Sequence, residues 1–146
     1  MRVAVLIIVM LVACFGLAAQ VLNDYRSVVS GNWDALTTWE YWNGSAWVPP
    51  SVRPTNSSNI ITIRNGHTVI ATTNVSIDQA VVVVGATLRV NSGTLTAFNG
   101  PLTPDVEVFG TLTLASTGAV TGSATTLWIH GNCDYERNGG NIPLAS

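Results

Sequence analysis

One motif recurs through the second half of this chain and restricts what it can become: an apolar β-run, a glycine, then a second β-run. The copies read IITIRNGHTVI, VVVVGATLRV, VEVFGTLTL and LWIHGNCDY, within residues 60–135. Their glycines are Gly66, Gly85, Gly110 and Gly131, at spacings of 19, 25 and 21 residues. A period of roughly twenty, with two or three short strands per repeat, belongs to β-solenoids. The expected fold is therefore all-β: a parallel, right-handed β-helix of about four coils. The alternative is an antiparallel β-sandwich, which also combines short strands with frequent turns.

Alternation assigns the strand faces. Val106 and Val108 share one face and Glu107 takes the other. Leu112 and Leu114 point inward and Thr111 and Thr113 outward. Leu88 and Val90 flank an outward Arg89, and Leu127 and Ile129 flank Trp128 in the same way. No single repeat can bury its own face, so stability must come from stacking. Each inward Val, Leu or Ile contributes about 1.5–3 kcal/mol once buried. The glycines fit corners that need a positive φ. The first inward residue lies three places after Gly85 but two after Gly110, so turn lengths differ between repeats.

Composition agrees with strands. Charged residues make up 10% of the chain, lysine is absent, and the remainder is rich in Thr, Ser, Val, Asn and Gly. β-Branched side chains lose rotamer freedom in helices. Six scattered basic residues and a net charge of −2 argue against nucleic acid, which needs a clustered cationic surface.

Residues 1–19 resemble an export signal. Arg2 precedes an apolar run, and small residues end at Ala18-Ala19. The apolar stretch is 17 residues long, short of the roughly 20 that a spanning helix needs, so no transmembrane span is expected in the mature chain. The protein is expected to be secreted or at the cell surface. Leu11-Val12-Ala13-Cys14 is a competing lipobox-like reading, in which Cys14 would carry a lipid. Without Cys14, Cys133 has no disulfide partner and reads as a small buried side chain.

Residues 20–56 form a Trp-rich segment ahead of the repeats, which occupy residues 57–146. Asn43-Gly44 separates two aromatic runs and predicts a β-hairpin with a type I′ turn. Trp39 and Trp47 are candidates for a cross-strand pair. Pro49-Pro50 should end the second strand. Two roles are open for this hairpin. It can cap the first coil with its aromatic side chains. It can also bind extracellular glycans through exposed tryptophans, with Trp33 and Trp42 as the candidate residues.

The run ITIRNGHTVIATTNVSIDQAVVVVGATLRV resembles the exported domain family named for its eight glycines. The earlier SGNWDALTTWE is similar to the start of large secreted proteins of Bacteroidetes-type bacteria. The resemblance covers roughly residues 25–114. It implies a parallel β-helix, an extracellular or surface location, and a place within a larger protein. It implies no catalytic residues.

The chain carries few residues in patterns that point to chemistry. Glu107 and Asp105, with Asp134 and Glu136 one repeat later, are the only carboxylate cluster that the spacing builds. His67 and His130 lie too many repeats apart to share a metal. No HExxH, CxxC, GxSxG or phosphate-loop pattern occurs. Neither a metal nor a cofactor is expected. The leading expectation is a non-catalytic surface module with a structural or adhesive role. A carbohydrate-binding module is the second reading, and a fragment of a polysaccharide-degrading β-helix enzyme the third.

Overall fold

A computed structural model describes residues 19–115, 117–122 and 126–130. Residues 1–18 of the signal-like leader, with Cys14, and Gly131, Cys133, Asp134 and Glu136, lie outside the described residues. The remainder is all-β. A 3-10 turn at Leu36–Thr38 is the only helical piece among the described residues, and no helix there is long and apolar enough to cross a membrane.

Four short strands precede the repeats: β1 (Tyr25–Ser27), β2 (Gly31–Asn32), β3 (Trp39–Trp42) and β4 (Trp47–Val48). The repeats then supply β5 (Ile60–Ile63), β6 (Thr68–Ala71), β7 (Val75–Ile77), β8 (Gln79–Val82), β9 (Thr87–Val90) and β10 (Thr94–Ala97). They continue with β11 (Val106–Val108), β12 (Thr111–Leu114), β13 (Ala119–Gly122) and β14 (Leu127–Ile129). From β5 onward the chain visits three sheets in rotation. A seven-stranded sheet runs β14-β11-β8-β5-β1-β3-β4, a four-stranded sheet β12-β9-β6-β2, and a three-stranded sheet β13-β10-β7.

Every pairing among the repeat strands is parallel, which is not the pairing of the antiparallel sandwich. The sequence period reappears as the pairing register. Ile60 faces Gln79 and Thr68 faces Thr87, each nineteen residues on. Inward side chains of all three sheets meet in one core, with Ile61, Val69, Ile77, Leu88, Leu95 and Leu112 among its fully buried members. The antiparallel part is confined to β1, β3 and β4, so the seven-stranded sheet is mixed. The N-terminal segment joins the repeats directly, since β1 pairs parallel with β5 and β2 with β6.

The structure corrects several expectations. The β3–β4 hairpin closes over four residues, with Trp42 opposite Trp47, and Trp39 does not pair with Trp47. The Asn43 side-chain oxygen accepts N–H groups from Ser45 and Ala46, at 3.0 and 2.9 Å. That local bonding replaces the type I′ turn, and only Gly44 takes a positive φ, of 98°. Thr113 is buried, although alternation placed it outside. Ile129 is exposed, although it was placed inside.

Gly66 and Gly85 have positive φ values of 78° and 76°, as expected of corners. Gly110 does not share this conformation. Thr111 pairs with Thr87, twenty-four residues back, so Gly110 lies over Ala86 rather than over Gly85. A Cβ there would fall within the carbonyl oxygens of Ala86 and Val83. Close stacking, not dihedral freedom, requires this glycine. The one-residue difference in turn length is the same effect seen in sequence.

The loop between β10 and β11 is the longest among the repeats, and Asp105 ties it down. This buried carboxylate accepts the Gly100 and Thr126 N–H groups at 3.0 and 2.6 Å. Gln79 donates to the Leu102 carbonyl at 2.9 Å. The Asp78 carboxyl lies beside this knot, and burial, with the Asp105 charge second, pushes its pKa up. Between the ordinary and the raised pKa the folded chain holds a proton that the unfolded chain has released, so stability rises as pH falls through that window, and at higher pH the folded state carries the full cost of the buried charge. Asp78→Asn should accordingly raise the thermal midpoint at pH 7, by an amount that shrinks as pH approaches 4. Melting curves from pH 4 to 7 read this directly; a variant less stable at neutral pH would contradict it.

Candidate carbohydrate-binding face

The outer face of the seven-stranded sheet carries the candidate site. Alternation in β3 sends Trp39 and Tyr41 toward the inside and Glu40 and Trp42 to the outside. Glu40 lies opposite Arg26 of β1, and Arg26 lies beside Thr62 of β5. The Arg26 guanidinium is ion-paired with Glu40 and sits 4.0 Å above the Trp47 ring. Arg64 approaches Glu40 at 3.9 Å. Trp42 packs edge-on against Trp47, with ring centroids 5.6 Å apart.

A groove of about 460 Å³ runs beside this cluster, lined among others by Ala19, Gln20, Arg26, Trp47, Thr62, Arg64 and Val81. Its size falls in the ordinary range for small-ligand sites. An exposed ion pair is worth about 1 kcal/mol or less, and an exposed cation–π contact about as much. The cluster therefore adds little to folding. Its main effect is to hold an aromatic ring and several hydrogen-bonding groups in fixed positions beside the groove.

The tryptophans chosen from sequence divide. Trp33 is a correction: it is only 1% exposed, its Nε1 donates to the Pro54 carbonyl at 3.1 Å, and it packs edge-on against Trp39 at 4.9 Å. It has no free face for a sugar. Trp42 is half-buried on the outer face, as is its neighbour Trp47. Sequence reasoning named Trp47 for a pairing with Trp39 but missed it as a groove residue, along with Arg26. Their contact joins positions twenty-one residues apart and follows from the hairpin register.

The carboxylate cluster is also corrected. Asp105 is buried in its loop knot, while Glu107 lies on the outer face and pairs with His130 at 2.9 Å. Alternation assigned both to one surface, but Asp105 precedes the strand and turns inward. His67 and His130 are not brought together. His67 bonds through Nδ1 to the Ser27 hydroxyl at 2.8 Å. That serine is fully buried and accepts the Arg64 N–H at 3.0 Å, so the pair braces the sheet rather than offering a nucleophile. Among the described residues, no group of three or more His, Cys, Asp or Glu side chains is placed to hold a metal ion.

Comparison with protein-family models, curated proteins and solved structures returns no match for this chain.

Proposed function

We propose that the chain is an exported, non-catalytic β-solenoid module of a bacterial surface or extracellular protein, and that it binds glycans on the outer face of its seven-stranded sheet. The solenoid reading is supported by the rotation of consecutive strands through three sheets and by the matched parallel registers. Right-handed winding follows from the general handedness of parallel crossovers. The export signal and the kinship with eight-glycine domains belong to this same reading. So does the role: a structural module whose seven-stranded sheet adheres to a surface.

The observation that carries the binding role is the groove beside Trp47, where an indole, Arg26, Arg64 and Thr62 converge on a surface fixed by sheet hydrogen bonds. One face of the Trp47 indole is covered by the Arg26 guanidinium; the rest of the ring, beside polar donors, suits a sugar, which presents C–H bonds on one face and hydroxyls at its rim. Trp47→Ala should weaken binding of a recognised glycan about tenfold or more, while leaving the β-rich circular dichroism spectrum unchanged. A glycan array followed by titration calorimetry would check this. Undiminished binding by the variant, or no saturable binding to any glycan, would overturn the reading.

A further inference from the structure

Three of the groove residues, Arg26, Thr62 and Val81, belong to a row that crosses six of the seven strands of the sheet, and Trp47 stands beside its first member on the seventh. Pairing register aligns Glu40, Arg26, Thr62, Val81, Glu107 and Trp128 on successive strands. None of the six is fully buried, and Trp128, on the last strand of the row, is 48% exposed. A second aromatic cluster stands there. His130 stacks on Phe109 with ring centroids 4.4 Å apart and an interplanar angle of 10°. Its Nε2 lies 2.9 Å from the Glu107 carboxylate, and Trp128 meets its edge at 6.3 Å. The far end of the face thus repeats the elements of the near end: an indole beside a carboxylate that a nitrogenous side chain holds in place.

From this row we infer that the face is one continuous track for an extended, uncharged, linear polysaccharide laid across the strands, with Trp47 and Trp128 as its two end platforms. This rests on the glycan-binding reading above and specifies its ligand. Two observations select the ligand. The face carries both signs, with Arg26 and Arg64 around Glu40 at one end and Glu107 hydrogen-bonded to His130 at the other, so it offers no block of one charge to a polyanion. Its length also suits a polymer. The seven strands from β4 to β14 span six spacings, about 29 Å, and an extended pyranose chain advances by about one such spacing per unit. About six sugar units would cover the track, with Thr62 and Val81 beneath the middle ones.

Calorimetric titration of the full chain with cello-, xylo- and manno-oligosaccharides of two to eight units tests this. Affinity should rise with length and level off near six units. Trp128→Ala should bind the six-unit ligand about tenfold more weakly than the parent, yet bind the two-unit ligand equally well. Trp47→Ala should lose affinity at every length. Trp128 is half-exposed, so its truncation should leave the thermal midpoint nearly unchanged. Affinity that does not grow with length, or a Trp128→Ala protein that keeps full affinity for six units, would overturn the track while leaving the Trp47 groove in place. The same titration with an oligogalacturonate series is the charged counterpart, and binding to that series alone would overturn the uncharged ligand. No binding at any length would overturn both readings.

Discussion

Alanine at Gly110 is expected to destabilise the protein by about 3 kcal/mol or more, at the upper end of overpacking costs, lowering the thermal midpoint by about 10 °C. The added methyl would meet the carbonyl oxygens of Ala86 and Val83, which are backbone atoms and cannot swing aside. Both belong to the preceding repeat, where Ala86 also accepts the Thr111 N–H at 2.9 Å. Relief would require parting β9 from β12, and their pairing is part of the core. Gly66→Ala is the internal control. Nothing lies within 4 Å of a Cβ at Gly66, so only its φ of 78° opposes the substitution, a cost of about 1–2 kcal/mol. Chemical denaturation of the two variants decides the matter. Equal losses would mean that Gly110 serves as a dihedral corner and that the register placing it over Ala86 is wrong.

Trp33→Ala should cost about 3–5 kcal/mol, the usual range for emptying a buried aromatic site. The side chain fills the end of the core against Trp39. Its loss also strips the Pro54 carbonyl of its donor, and a buried unsatisfied acceptor adds to the cavity term. Trp39 would lose support as well, since its own Nε1 donates to the Trp33 carbonyl at 2.9 Å. Trp42→Ala, on the half-exposed outer face, should cost only about 1 kcal/mol. The two substitutions therefore separate stability from binding. Whatever Trp33→Ala molecules remain folded should hold a glycan as the parent does, whereas Trp47→Ala should stay folded and release it. A Trp33→Ala protein as stable as the parent would contradict the buried placement.

Much of the repeat region was legible in advance. Alternation in VEVFGTLTL and GATLRV assigned Val106, Val108, Leu88, Val90, Leu112 and Leu114 to the inside, and all six are buried. The method works there because strands of three or four residues lie between solvent and a shared core, and a period of two then has one solution. It failed at the ends. Thr113 is buried despite its outward parity, and Ile129 is exposed despite its inward one. The candidate site was less legible. Trp42, read as a glycan-binding residue, is half-buried and stands beside the groove residue Trp47, while Trp33 follows a two-residue strand, which is too short for alternation to be read. The Asn43-Gly44 pair marked the hairpin but not its loop length, because the Asn43 side chain competes with the backbone for the same N–H groups.

The spacing of the glycines and the two-residue period of the strands were enough to determine an all-β chain with a recurring unit of about twenty residues. Both are local properties, set by which neighbouring side chains can share a face. Tertiary structure alone decided that Gly110 rests on Ala86 and that Arg26, Glu40, Trp47 and Thr62 converge on one face. Those residues are separated by loops and turns of unequal length. Their meeting depends on pairing register, which the summed burial of the whole core selects and no short stretch of sequence specifies.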